Sequence, residues 1–335
     1  MLKKALCLTL AAALTAALPT AASAAPDINE LSAYSGVSVD ELNAAIGLST
    51  FQPTIIKTMT RPYESKPWWQ YRKLFITTSR IDAGLKFYLA HEETLKRAEE
   101  TLGVPPEIVC AIIGVETFYG RNMGTWSVLD ALFTLGFNYP PRESYFSKEF
   151  ANYVKLAKRE GWQLKDIKGS YAGAMGMGQF MPSSYLDYAI DFDGDGHVNL
   201  FDNTTDAIGS VANYFKGHDW AAGRGIYYPA LVPADQAQAL LDKDWELTGR
   251  ELYAAGVSTK VNLSLDEKMR LFSYQLEDGS TGYGVGLNNF HTIMKYNKSP
   301  LYARAVYELS EFIRMAYNDY KAKHGEPQNP QGRVP

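Results

Sequence analysis

The sequence predicts an α+β protein that is mainly α, with a small antiparallel β subdomain set among its helices. Three observations predict it. Apolar residues recur at helical spacing from Ile81 to Leu102, and the positions between them are charged. A nearly unbroken apolar run from Ile108 to Val115 follows Pro105-Pro106; a helix apolar on all sides belongs at the centre of a core. Residues 221–295 break the pattern. Short β-prone runs (Met269–Leu276, Tyr283–Leu287, Phe290–Tyr296) alternate there with turn signals such as Glu277-Asp278-Gly279-Ser280.

The N-terminus sets the compartment. Lys3 and Lys4 precede an apolar run from Ala5 to about Leu18, and small residues follow through Ala22-Ser23-Ala24. That order is a secretory signal peptide over residues 1–24, and the apolar run is too short to cross a bilayer. Cleavage after Ala24 leaves 311 residues (335 − 24) and shifts the formal charge from −4 to −6 by removing two lysines. Cys7 leaves with the signal, so Cys110 stands alone as a small buried hydrophobe with no disulfide partner. No small-residue lipobox precedes a cysteine near the cleavage site, so a soluble protein is expected. The absence of a basic tract argues against a nucleic-acid partner, and no other apolar run is long enough for a membrane span. The 22 tyrosines offer flat apolar faces with a hydroxyl, which suit sugar rings but also fill ordinary cores.

Along the chain, residues 25–66 read as mixed, with a helix near Val39–Ala45. Pro105-Pro106 opens the central helix with Glu107 in its first turn, where the helix dipole favours an acid, and Gly120 stops it. Further helices fit Lys148–Glu160, Ser183–Ile190, Thr205–Lys216 and Pro300–Tyr320. The tail, rich in Pro, Gln and Gly, reads as disordered.

Glu116 is the carboxylate that stands out. It falls in the last turn of the buried helix, within "AIIGVETFYGRNMG". Apolar neighbours penalise its ionised form, and a helix C-terminus disfavours negative charge. Both push its pKa upward, as a general acid near neutral pH requires. The competing reading is a surface glutamate paired with Arg121. A second segment, "GSYAGAMGMGQFMPSSY" (Gly169–Tyr185), packs Gly169, Gly173, Gly176 and Gly178 around Gln179–Pro182; so many glycines suggest backbone that approaches a ligand closely. A third, "DFDGDGHVNLFD", places Asp191, Asp193 and Asp195 at positions one, three and five of an EF-hand-like loop. Gly196 stands at six and His197, contributing its carbonyl, at seven. Position twelve holds Asp202 where a bidentate Glu is usual, leaving the closing ligand open. The competing reading is a solvated acidic turn.

Together "GVETFYG", "ALFTLGFNYPPR", "GAMGMGQFMPSSY", "DFDGDGHVNLFD", "DAIGSVANYF" and "MKYNKSPLYARAV" resemble the lytic murein transglycosylase B family, in order and spacing, from about Tyr71 to Ala316. The resemblance implies a lysozyme-like helical core over 81–220, with the EF-hand-like loop at 191–206. An α domain from 25–80 and 300–322 and the β subdomain over 221–299 would flank it, followed by a disordered tail at 323–335. It implies Glu116 as the single acid/base of a carbon–oxygen lyase that cleaves between N-acetylmuramic acid and N-acetylglucosamine and leaves 1,6-anhydro ends. The implied contacts to the glycan are Tyr71, Arg142, Ser170, Gln179, Phe180, Met181, Tyr214, Tyr296, Asn297 and Tyr302. One departure stands in Asn138-Tyr139-Pro140-Pro141-Arg142, where the family often has two arginines after a single proline. Asp206 becomes the expected closing ligand of one structural Ca²⁺, with no organic cofactor. The implied partners are peptidoglycan strands, with other cell-wall enzymes as further candidates, and the implied location is the periplasm. A hydrolytic lysozyme with a second carboxylate, or a non-catalytic glycan-binding scaffold, are the rival readings.

Overall fold

The computed structural model describes residues 26–59 and 66–325. The signal peptide and residues 326–335 of the expected tail lie outside the described residues.

The chain opens with three short helices, α1 (Ile28–Ser35), α2 (Val39–Leu48) and α3 (Pro53–Met59). Asp27 caps α1, and Ser38 with Glu41 forms a capping box on α2, satisfying backbone N–H groups that have no partner within the helix. Helix α4 (Trp68–Phe75) follows. The segment expected as one helix from Ile81 to Leu102 is two, α5 (Thr78–Ala90) and α6 (Glu92–Leu102), broken at His91. Their buried faces serve different neighbours: α5 packs on the central helix and the last helix, α6 on α11 (Thr204–Gly217). One straight rod cannot reach both.

The central helix α7 (Pro106–Thr117) carries ten buried residues and packs against α5, α6, α11 and the last helix, α15 (Pro300–His324). Its last residues are followed by Phe118, Tyr119 and Gly120, all left-handed (φ 52°, 60° and 82°), so the chain turns sharply beside Glu116. Strand β1 (Trp126–Ser127) pairs antiparallel with β2 (Lys168–Gly169). Between them run α8 (Val128–Asn138), a 3₁₀ turn (Pro140–Arg142) and α9 (Glu143–Glu160). Helix α8 was not anticipated, because its sequence is apolar almost all round and offers no polar stripe to mark a period. Next come α10 (Pro182–Tyr188) and α11 (Thr204–Gly217).

The β-rich region holds β3 (Tyr227–Leu231), α12 (Ala237–Leu241), β4 (Leu247–Thr248), α13 (Gly249–Ala254), β5 (Ser258–Thr259), β6 (Lys268–Gln275) and β7 (Thr281–Gly286). The strands form one antiparallel sheet, order β4-β6-β7-β3-β5, over its own small core that includes Leu247, Leu252, Met269 and Val285. Asp278 and Gly279 make the β6–β7 turn as expected: Asp278 accepts from the Ser280 N–H, and Gly279 takes φ 83°. The expected strand Phe290–Tyr296 is instead helix α14 (Asn288–Tyr296). Phe290 and Ile293, three apart, both turn inward, and Asn289 is buried with them, its amide bonding the carbonyls of Ala221 and Arg224. The last helix, α15 (Pro300–His324), runs beyond the expected helix, so residues 323 and 324 of the expected tail are helical.

Candidate functional site

Glu116, the next-to-last residue of α7, stands at the wall of a cleft of about 1110 Å³. Its Oε1 accepts a hydrogen bond from the Tyr302 hydroxyl, 186 positions away, at 2.5 Å. Tyr302 sits in the first turn of α15, placed by Pro300 and by Ser299, whose hydroxyl accepts from the Tyr302 N–H. Protein surrounds Glu116 on most sides while one face opens to the cleft. Burial pushes its pKa up to about 7, and the Tyr302 bond only partly opposes this. Burial, and then the charge of Glu116, hold the Tyr302 hydroxyl well above its ordinary range, so it stays a donor. Arg121 is not a partner: its guanidinium stands 5.1 Å from the Phe118 ring.

The turn after Glu116 is held by its neighbour. Buried Thr117 donates from Oγ1 to the Met177 carbonyl at 2.8 Å and accepts from the Gly120 N–H at 2.9 Å. Met177 lies in the glycine-rich loop, which folds back on itself through paired backbone bonds between Met175 and Phe180. Its glycines serve a purpose other than the expected one. A Cβ at Gly169 would stand 2.3 Å from the Ala174 carbonyl oxygen, at Gly173 2.5 Å from Leu132, and at Gly176 2.6 Å from the Leu200 carbonyl oxygen. They admit the protein's own atoms, and the loop becomes rigid floor. Gln179, left-handed at φ 52°, donates its amide to the carbonyls of Met123 and Gly176.

Of the expected glycan contacts, Arg142, Ser170, Gln179, Met181, Tyr296 and Asn297 line the cleft together with Glu116. Tyr71, Phe180, Tyr214 and Tyr302 are buried and face protein. Phe180 packs between Tyr214 and Tyr296, and Tyr214 donates to the Lys295 carbonyl at 2.8 Å. Tyr71 packs on Phe75, ring centroids 5.1 Å apart. These four support the lining from behind, because their large apolar rings are worth more buried than exposed. Sequence reasoning missed Tyr145, Lys295 and Lys298, which also line the cleft. Both lysines flank Tyr296-Asn297, so a charge count around that pair would have found them. Arg142 lies over the rings of Tyr145 and Phe146, at 4.7 and 4.8 Å. Among the described residues lining the cleft, Glu116 is the only carboxylate, facing three cations.

A second cluster forms in the 191–206 loop. Carboxylate oxygens of Asp191, Asp193 and Asp206 lie within 4.8 Å of one another. Asp206 is fully buried and accepts from the N–H groups of Phe192 and Asn199; burial, and then these acidic neighbours, raise its pKa. Asp195 stands outside the cluster, accepting from the His197 N–H, as does Asp202, whose own N–H donates to Asn199. Three hard oxygen donors converging in this way fit a divalent ion such as Ca²⁺.

The transglycosylase SLT domain family matches residues 20–311. The chain belongs to that family.

This transglycosylase is 46% identical to the membrane-bound lytic murein transglycosylase B of Escherichia coli K12 over 250 residues, 74% of this chain and 68% of the relative. Its fold superposes on the soluble lytic transglycosylase SltB1 of Pseudomonas aeruginosa with a TM-score of 0.79 at 41% identity, covering 88% of this chain and all of that one. The E. coli lytic transglycosylase Slt35, in complex with calcium, matches with a TM-score of 0.77 at 40% identity, over 87% and 92% of the two chains. The expected family and fold class both hold, and the protein is a peptidoglycan-cleaving lytic transglycosylase.

Proposed function

We propose that this lytic transglycosylase cleaves the β-1,4 bond between N-acetylmuramic acid and N-acetylglucosamine with Glu116 as its one acid/base, leaving 1,6-anhydro-N-acetylmuramic ends. The observation that carries the reading is that Glu116 is the only carboxylate among the described cleft residues, and burial raises its pKa to about 7, where it can both give and take a proton near neutral pH. The carboxylic acid donates that proton to the glycosidic oxygen as the bond from the muramic C1 breaks, and the departing N-acetylglucosamine takes a 4-hydroxyl. The carboxylate then removes the proton from the muramic C6 hydroxyl as its oxygen bonds to C1. Glu116 ends protonated, and no water is consumed.

A hydrolytic lysozyme needs a second carboxylate for its nucleophile or to activate water. A substrate hydroxyl held at the reacting carbon has a high effective concentration and needs none. A non-catalytic scaffold would have no use for a carboxylate whose proton is held by burial beside an open cleft. Ser170, Gln179, Met181, Tyr296 and Asn297 are read as the polar and apolar lining for the sugars, and Arg142, Lys295 and Lys298 as partners for anionic groups on the strand. Asp191, Asp193 and Asp206, with the His197 carbonyl, are assigned a structural Ca²⁺, and Asp195 a place near it. We infer export to the periplasm from residues 1–24. Among the described residues, no helix is long and apolar enough to cross a membrane.

The test is product analysis. Purified peptidoglycan should yield muropeptides one water lighter than lysozyme products and inert to borohydride. Reducing ends in most fragments would establish hydrolysis instead; binding without fragments would favour the scaffold.

A further inference from the structure

Resting on the reading of Glu116 as acid/base, a second question is what holds it in place. One residue, Met177, joins the acidic loop to the catalytic helix through its own N–H and carbonyl. The Met177 N–H donates to the Leu200 carbonyl at 2.8 Å, and the Met177 carbonyl accepts from Thr117 at 2.8 Å. On the loop side, the Asn199 N–H, next to Leu200, donates to Asp206 at 2.9 Å. On the helix side, Thr117 adjoins Glu116 and receives the Gly120 N–H, closing a turn in which Phe118 and Tyr119 hold left-handed angles that side chains rarely adopt. Such a turn persists only where its surroundings over-determine it. Packing enforces the contact: Gly176 meets the Leu200 carbonyl, and Gly120 lies against the Met177 side chain.

We propose that Thr117 is a positioning residue for Glu116, and that through Met177 and Leu200 it transmits the order of the acidic loop, and hence cation binding there, to the catalytic carboxylate. The hydroxyl is the active part. Valine keeps the shape and loses these bonds, together with the longer contact of the hydroxyl to the Ile113 carbonyl at 3.2 Å; serine keeps them.

The test uses the full chain with calcium or with a chelator. Thr117→Val should lower kcat roughly tenfold to a hundredfold, the cost of a misplaced catalytic group, with KM within about twofold. Thr117→Ser should restore most of it. In wild type, chelation should speed amide exchange at Met177 and Gly120 and lower kcat. In Thr117→Val, calcium should still raise the melting temperature but no longer change kcat. Wild-type kcat in Thr117→Val, failure of serine to rescue, or exchange at Met177 indifferent to chelation would each overturn the proposal. If Thr117→Val does not fold, the exchange measurement on wild type and the kinetics of Thr117→Ser decide alone. Glu116→Gln separates the two claims: activity in that variant removes the acid/base reading itself, whereas an inactive Glu116→Gln beside a fully active Thr117→Val removes only this one.

Discussion

At the scale of single residues, Glu116 trades stability for chemistry. A carboxylate raised to about 7 is protonated in the folded protein over a range where the unfolded chain has lost its proton. The raised pKa therefore favours folding fully below the unfolded value, near 4.3, and that contribution is lost as pH rises through about 7, where the charge must be buried. Glu116→Gln should thus behave differently in two assays. Cleavage should fall by roughly 10²–10⁴-fold, because glutamine keeps the shape but delivers no proton. The melting temperature should exceed that of wild type at pH 8–9 and match it more closely near pH 5, with a gain of about 3–4 kcal/mol at the alkaline end. Activity within a few-fold of wild type, or equal stability at pH 9, would contradict the assignment. Wild-type kcat/KM should also decline as pH rises past about 7, as the acid form of Glu116 is lost.

Among the elements, the 191–206 loop illustrates how spacing and packing divide the work. Alternating aspartates with glycines at 194 and 196 were plain in the sequence, and the structure puts both glycines at positive φ, 80° and 90°. Spacing offered Asp202 as the closing ligand, and the family resemblance offered Asp206. Asp206 joins the cluster because α11 begins at Thr204 and carries it inward in its first turn, while Asp202 stays on the rim. Calcium should therefore raise the melting temperature, by about 2.7 kcal/mol of stability at 100 times its Kd. Asp191→Ala and Asp206→Ala should each shrink that shift, and Asp202→Ala should leave it. Calorimetry with calcium and with chelator checks this; an unchanged melt would reject the site. Helix α14 carries the opposite lesson. Its aromatic and β-branched residues favour strand locally, and burial of Phe290, Asn289 and Ile293 on one side made it helical.

Across the whole molecule, α15 is the tie. It packs along α4, α5, α7 and α14, and supplies Tyr302 to the site. Two residues past Tyr302 on α15, Arg304 lies between the rings of Trp68 from α4 and Tyr274 from β6, its guanidinium carbon 4.2 Å from each centroid. Its Nε donates to Glu308, which also takes Arg72 at 2.6 Å. A desolvated cation–π contact contributes about 2 kcal/mol, so Arg304→Met, which keeps the apolar stem, should cost roughly that in denaturant unfolding. A loss below about 0.5 kcal/mol would mean that the clamp does not join sheet to helices.

By itself the sequence determined what local pattern can carry: a mainly helical chain, a central apolar helix ending in Glu116, the β6–β7 turn, an acidic loop of alternating aspartates, and enough ordered motifs to place the family. Periodicity and turn chemistry act over a few residues, so they are written where they operate. Only the tertiary structure decided which tyrosine reaches Glu116, that the loop glycines admit Leu132 and Leu200, that Phe180 and Tyr214 stand behind the cleft, and that Lys295 and Lys298 stand in it. Each of those facts depends on residues tens to hundreds of positions apart. Their contact energy exists only once the helices between them have packed, and no window of sequence contains both partners.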